Sequence, residues 1–161
     1  MAENAHRRRT PTEHELRIWR GYTETSSAIT ARLAARMQED SGLGTGDYRV
    51  LLALSEAEGR TARSSELAAL VDWERSRLSH HLGRMERRGL ISRAACADDS
   101  RGAQVTMTDA GADAFRRGSV PHLRAVREVF VDALTPDQLA DLGEITQALR
   151  RHLGLGEAGT P

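Results

Sequence analysis

The sequence has no lysine, a single cysteine and only six aromatic residues among its 161 positions. One cysteine, Cys96, excludes an internal disulfide framework and a cysteine-rich zinc site. No apolar run approaches the roughly 20 residues that a membrane-spanning helix needs. The start of the chain also lacks the apolar segment of a signal peptide. We therefore expect one soluble domain in the cytoplasm.

Enzyme motifs are missing as well. We find no G-x-S-x-G, P-loop, H-E-x-x-H or plausible Cys–His pair. His80 and His81 are neighbours that would point about 100° apart on a helix, which is poor geometry for holding a metal. The carboxylates of Asp98 and Asp99 fall in a charged turn, where we expect no burial. We therefore expect no catalytic site, no metal and no cofactor.

The charges that are present are unevenly distributed. All 23 basic residues are arginine and they balance 23 acidic residues, so the net charge gives no general argument for binding nucleic acid. Residues 60–101, however, contain nine arginines and six acids, a local excess of three positive charges. This stretch is the first candidate for contact with an anionic partner.

Hydrophobic periodicity predicts four amphipathic helices in the first half of the chain. The first is expected from Pro11 to Glu39, with a capping box at Thr10–Glu13 and proline in the first turn. Further helices are expected to begin at Thr45, at Ser64, and after an N-cap at Asp72.

After Gly89 the periodicity changes to that of strands. Two short strands at residues 90–94 and 104–107 are predicted to form a hairpin with a charged tip. A fifth helix should start at Thr108 and be kinked or interrupted by Pro121. A sixth should start at the capping box of Thr135. The expected fold class is mainly α with a small β-wing.

This order of elements is typical of a winged helix-turn-helix, whose second helix enters the major groove of DNA. We assign residues 45–107 to that unit within a single domain of residues 1–161. Residues 11–40 and 109–153 would form a helical dimerisation region, because their apolar stripes exceed what so small a domain can cover. Residues 1–10 and 155–161 are expected to be flexible tails.

The fourth helix has the polar face that DNA recognition needs. Guanidinium groups make bidentate bonds to guanine, and hydroxyl groups bond to phosphates or bases. Opposite the apolar side of the helix lie Arg75, Ser76, Arg77, Ser79, His80 and Arg84. An ordinary solvated surface is the alternative interpretation of such a face.

Two segments resemble the MarR (multiple antibiotic resistance regulator) family. The run from Asp99 to Gly111 is similar to its D-x-R…V-x-L-T-x-x-G wing signature, with Met107 in place of the usual leucine. The run from Arg75 to Ile91 resembles its recognition helix and first wing strand. The specific part of the resemblance covers about 40 residues, from Ser64 to Gly111.

The resemblance implies a homodimer that binds a pseudo-palindromic operator on double-stranded DNA. Family members are mostly repressors that release DNA when a phenolic or other lipophilic ligand binds. By resemblance, Asp99 and Arg101 shape the wing through a salt bridge, and Arg101 also contacts DNA. Ser64 and the polar residues of the fourth helix complete the expected DNA-binding set.

The expected small-molecule effector would meet aromatic residues on the first two helices. Trp19, Tyr22 and Tyr48 are the candidates, since aromatic walls with polar tips suit a phenolic guest. The alternative is that these rings simply belong to the core.

Three other functions remain open at this point. Cys96 lies near Arg93, which favours the reactive thiolate, so the protein could sense oxidants instead of ligands. A small enzyme and a winged-helix module that binds proteins are the alternatives from other classes.

Overall fold

The computed structural model of the chain describes residues 10–96 and 99–155, except for the side chains of Cys96 and residues 99–102. Within these residues it contains six α-helices and three strands, in the order α1 (Glu13–Ser41), α2 (Thr45–Glu56), β1 (Thr61–Arg63), α3 (Ser64–Leu70), α4 (Arg75–Arg87), β2 (Ile91–Cys96), β3 (Asp99–Met107), α5 (Asp109–Val129) and α6 (Pro136–His152). The predicted class, mainly α with a small β-wing, is confirmed.

The capping box of α1 lies two residues later than the sequence predicted. The side chain of Thr12 accepts a hydrogen bond from the backbone N–H of Glu15, and the Glu15 carboxylate accepts one from the N–H of Thr12. Thr10 and Thr12 are both followed by a glutamate three positions on, so the pattern alone could not separate them. Pro11 therefore precedes the helix instead of opening it.

The predicted N-cap of α4 and the predicted interruption of α5 are both wrong. Asp72 does not cap α4: it adopts a left-handed backbone with φ of 54°, and Glu74 precedes the helix. The helix α5 continues through Pro121 without interruption. The proline removes only the donor for the carbonyl of Arg117, a residue exposed to water, so the helix can tolerate the loss.

The wing is a three-stranded antiparallel sheet in the order β1-β3-β2. The predicted hairpin is present as β2 and β3, which pair from Ile91 with Met107 onward. The sequence analysis missed β1, because three residues are too few to show alternation. This strand places Thr61 opposite Thr106, with their hydroxyl oxygens 3.0 Å apart.

A single core lies between α2, α3, α4 and the sheet. The predicted inward face of α4 is confirmed, since Leu78, Leu82 and Met85 are fully buried. The other largest buried side chains are Leu43, Val50, Leu51, Leu54, Leu67, Ile91 and Val105.

The outer helices are far less covered. In α1 only Met37 is buried, and α6 buries no residue at all. Their exposed large apolar side chains include Ile18, Trp19 and Tyr22 on α1 and Ile145, Leu149 and Leu153 on α6. Among the described residues, no helix has both the length and the apolar content to cross a membrane.

Gly111, in the first turn of α5, lets that helix approach the wing. A Cβ atom there would overlap the backbone carbonyl oxygen of Leu90 and press on Met107. The N–H of Gly111 donates to Thr108 Oγ1, and that hydroxyl donates to the carbonyl of Gly89. The glycine therefore lets α5 start directly against the end of α4 and the first wing strand.

We expect Gly111→Ala to destabilise the protein by about 1–3 kcal/mol, the usual cost of forcing extra volume into a packed site. Gly83→Ala is the matched control, because its Cβ would make only an ordinary contact inside the α4 helix. Alanine there should raise the free energy of unfolding by up to about 1 kcal/mol. Urea denaturation of both variants measures the difference in the free energy of unfolding. Equal stabilities of the two variants would show that a methyl group at position 111 does not strain the contact with Leu90.

Candidate nucleic-acid interface

The polar face predicted on α4 is open to solvent. All six of its predicted DNA contacts are exposed: Arg75, Ser76, Arg77, Ser79, His80 and Arg84. Ser64 is half-buried at the start of α3, where its hydroxyl oxygen accepts a hydrogen bond from the N–H of Ala103 on β3. The structure thus places Ser64 where α3 meets the wing.

Arg77 is held against an aromatic ring. Its guanidinium carbon lies 4.5 Å from the ring centroid of Trp73, the distance of a cation–π contact. The two side chains form one wall of an open cleft of about 440 Å³ between α3 and α4, which Ser65 and Ala69 also line. Stacking leaves the donors at the edge of the guanidinium plane available to a ligand.

The ring of Trp73 also packs against His81, which points inward from α4. The two ring centroids are 5.0 Å apart in an edge-to-face arrangement. Gly46 in the first turn of α2 makes room for both rings, because a Cβ there would lie 2.8 Å from each of them. The start of α2 and α4 are therefore in direct contact.

Asp47 carries the charge at this contact. It is 4% exposed and the single charged residue among the buried side chains of the described chain. Its Oδ2 accepts hydrogen bonds from Arg88 Nη1 at 2.6 Å and from the N–H of Gly44 at 3.0 Å. Its Oδ1 lies 3.0 Å from His81 Nε2, off the line of a hydrogen bond, so that contact is mainly electrostatic.

Sequence reasoning placed neither Asp47 nor His81 among the functional residues. Asp47 was noted only as part of the start of α2, and its N-terminal position explains one of its three contacts. Its other partners are 34 and 41 residues away in the chain, so no local pattern pointed to them. A lone acid in the first turn of a helix is too common a feature to mark a site.

His81 connects the buried carboxylate to the exposed face. Its Nδ1 lies 2.8 Å from Nη2 of Arg84, one turn further along α4. Burial lowers the pKa of His81 below the ordinary value of 6.5 and outweighs the opposing attraction of Asp47, while Arg84 and Arg88 lower it further. His81 is consequently neutral at neutral pH.

The wing is attached to α4 by a second charged pair. Arg93 on β2 donates to the carboxylate of Glu86 through its backbone N–H at 3.1 Å, its Nε at 2.9 Å and its Nη2 at 2.5 Å. The hydrogen bond from Arg93 lowers the pKa of Glu86. The side chains of Asp99, Arg101 and Cys96, predicted for the wing, lie outside the described part of the structure.

The three aromatic candidates for an effector site fall into two groups. The rings of Trp19 and Tyr22 are 6.1 Å apart on the exposed half of α1. Tyr48 instead contacts Phe115 at 5.2 Å and His122 at 4.8 Å, on α5. The structure therefore does not bring Tyr48 to the other two rings within one chain.

His122 gives the second group a buried polar atom. Its Nδ1 is shielded from solvent and has no hydrogen-bond partner among the described residues. Burial lowers the pKa of His122, so this ring is also neutral at neutral pH. Nowhere in the described chain do three or more His, Cys, Asp or Glu side chains group as metal ligands.

Comparison with known proteins identifies relatives of this architecture. The profile described as MarR family matches residues 41–102. The structure of Sco3205, a MarR family transcriptional regulator from Streptomyces coelicolor in complex with DNA, superposes with a TM-score of 0.82 at 36% identity, covering 96% of this chain and 97% of that one. AbsC, another MarR family regulator from the same organism, superposes at 0.80 with 34% identity, covering 91% and 98%.

A more distant structure shares the fold. The organohalide-sensing regulator RdhR-CbdbA1625, in its 2,4-dichlorophenol-bound form, has a TM-score of 0.75 and 20% identity, covering 89% of this chain and 86% of that one. No match was found among curated protein sequences.

Proposed function

The chain belongs to the MarR family of transcriptional regulators, and we propose that it is a dimeric repressor that binds a pseudo-palindromic operator through α4 and the wing. One observation carries the proposal: α4 exposes a continuous polar face with two arginines fixed in place, while its opposite side is locked into the core. The DNA complex of Sco3205, 36% identical to this chain, supports the same use of the fold.

The residues divide by the contacts that they would make. Arg75, Arg77, Ser76, Ser79 and His80 near the start of α4 would contact base edges or phosphates in the major groove. Arg84 would reach the backbone. Arg101 would enter the minor groove from the wing, with Asp99 shaping the hairpin, and Ser64 would bond to phosphate.

Other classes have less support. An enzyme is disfavoured because the family consists of transcriptional regulators, and a purely protein-binding module does not explain the exposed arginines of α4. Oxidant sensing through Cys96 stays a separate hypothesis, which replacement of that cysteine by serine would test. We place the protein in the cytoplasm, where its operator would be.

Arg77→Ala should weaken operator binding by about 1–3 kcal/mol if the guanidinium reads a guanine, and should relax specificity at one base pair. A loss that is equal on all sequences would indicate a phosphate contact instead. The operator can be selected from the DNA upstream of the gene by a gel-shift assay, and fluorescence anisotropy with that duplex and a scrambled duplex then separates the two. Arg124→Ala, which removes the same charge from the exposed surface of α5, is the matched control. Identical behaviour of both variants would mean that α4 does not read DNA.

The dimer is proposed from the apolar residues that one chain leaves exposed. Ile145 is 56% exposed and Leu149 is 47% exposed on a helix that buries nothing. The exposed half of α1 also carries large apolar side chains, and apolar groups of this kind on a surface mark protein interfaces. A second copy of the chain would cover both, and would place two α4 helices about 10 bp apart on successive major grooves.

Ile145→Glu should convert the dimer to a folded monomer, because it places a charge in the proposed interface but disturbs no buried contact of the single chain. Gln147→Glu introduces the same charge about 200° around α6, away from the apolar stripe, and should stay dimeric. Light scattering measures the mass, and circular dichroism checks the fold. A dimeric Ile145→Glu protein with normal operator affinity would place the interface elsewhere.

We further propose that a lipophilic aromatic ligand releases the DNA. The 2,4-dichlorophenol complex of RdhR-CbdbA1625 supplies the first compound to test. The candidate rings form two separate groups in one chain: Trp19 and Tyr22 on α1, and Tyr48 beside α5. Either the second copy brings the two groups together in one pocket, or they belong to two different surfaces.

Two variants distinguish these arrangements. If the ligand contacts α1, Trp19→Ala should keep operator affinity but should no longer release DNA when 2,4-dichlorophenol is added. If the ligand contacts Tyr48, Tyr48→Ala should show this behaviour and Trp19→Ala should not. Trp73 is the other tryptophan of the chain, so quenching in Trp73→Phe would report Trp19 alone. Unchanged release in both variants would exclude the predicted aromatic set as the effector site.

A further inference from the structure

Arg84 is fixed to α4 from inside the protein. Its side chain is exposed and lies on the same side of the helix as Arg77 and His80. His80 follows Arg77 by three residues and precedes Arg84 by four, which are the spacings of neighbours on one helix face. Its guanidinium is nonetheless bonded to His81 Nδ1, a ring atom of a mostly buried residue. The significance of this contact rests on the proposed function, in which the face of α4 meets DNA.

The bond determines which nitrogen of His81 carries the proton. A guanidinium has only donors, so Nδ1 must be the unprotonated acceptor and Nε2 must carry the hydrogen. Nε2 faces Oδ1 of Asp47 at 3.0 Å, which favours a proton on that side of the ring. The carboxylate thus selects the tautomer that can accept from Arg84.

Asp47 itself has little freedom to move. The Arg88 guanidinium and the N–H of Gly44 hold its other oxygen, and the absence of a side chain at Gly46 keeps the first turn of α2 close to the ring of His81. The position of the carboxylate is therefore set by α2 and the end of α4 together.

We propose that Asp47 is a positioning residue for DNA binding, which acts through His81 to hold the guanidinium of Arg84 in place on the recognition helix. Ordering this long side chain before DNA binds removes part of the entropy that would otherwise be lost in the complex. Asp47 itself is buried and does not touch DNA.

If Asp47 only stabilised the fold, its replacement would also weaken DNA binding. A loss of affinity alone therefore cannot separate a positioning role from a general structural role. The discriminating feature is Arg84. If Asp47 acts through that side chain, its replacement should have no effect once Arg84 is gone, whereas a loosened fold would weaken binding in either background. A double-mutant cycle measures this difference directly.

The cycle combines Asp47→Asn with Arg84→Ala in the full-length protein, with operator affinity measured at pH 8 by fluorescence anisotropy. Asparagine keeps an oxygen for the Gly44 N–H but removes the charge facing His81. We expect Asp47→Asn to weaken binding about tenfold in the parent and less than about twofold in Arg84→Ala, given the usual size of one arginine contact. Val50→Ala, a buried change on the same helix, shows what lost stability alone does.

The pH profile supplies a second measurement that also serves if Asp47→Asn does not fold. The charged groups facing His81 are Asp47 from α2, Arg84 from α4, and Arg88, which directly follows α4. Protonation turns Nδ1 into a donor that can no longer accept from Arg84. Because the pKa of His81 is lowered, this loss should occur only as the pH falls below about 6.5.

His81→Asn is the matched variant for the profile, since its side-chain oxygen takes the place of Nδ1 but cannot titrate. Its affinity at pH 8 should be within about threefold of the parent, whereas His81→Leu, without an acceptor, should resemble Arg84→Ala. The ratio of parent to His81→Asn affinity should fall between pH 8 and 5.5. All other ionisable groups are common to both proteins, so their effects cancel in that ratio.

The outcomes separate the inference from the function that it assumes. Equal effects of Asp47→Asn in both backgrounds, or a constant ratio across pH, would overturn the positioning role while leaving DNA binding intact. A parent protein that does not prefer its operator over scrambled DNA would overturn the proposed function itself. A cycle that couples as expected, with a falling ratio, supports both.

Discussion

The packing of α4 against α2 is the contact on which the rest of the structure depends. Leu78, Leu82 and Met85 bury one side of α4, and Asp47 joins the start of α2 to its outer edge through His81 and Arg88. An isolated buried carboxylate would be costly, and its charge is offset here by one guanidinium and one backbone N–H. These contacts fix the orientation of α4 relative to α2. None of the side chains on the exposed face of α4 has to enter the core for this.

The uncovered helices follow from the small size of this core. A chain of this length buries a limited share of its surface, and the winged unit uses most of its buried residues. The N-terminal half of α1 and much of α6 are left with exposed large apolar side chains. In the proposed dimer, the surface that joins the two copies would also cover the apolar side chains of these helices, so assembly would stabilise them.

The fold was predictable where the signal is local and repeated. The apolar spacing of Leu78, Leu82 and Met85 predicted the inward face of α4, and the wing signature ending at Gly111 matched a close helix–wing contact. Failures came where two local choices were equivalent, as at Thr10 and Thr12, or where an element was three residues long, as in β1. The site was harder: the exposed arginines could be predicted, but Trp73, His81 and Asp47 meet only through tertiary packing.

These tertiary contacts form a continuous path between the two parts of the molecule. Arg88 donates to the carbonyl of Gly42, which ends α1, and to Asp47, which starts α2. Asp47 faces His81, and His81 accepts from Arg84 on the exposed surface of α4. Because α1 also carries Trp19 and Tyr22 at its far end, about 30 Å of rigid helix separates these rings from this joint. Arg88 uses separate nitrogens for its bonds to Gly42 and Asp47, so it is the residue that ties the end of α1 directly to the buried carboxylate.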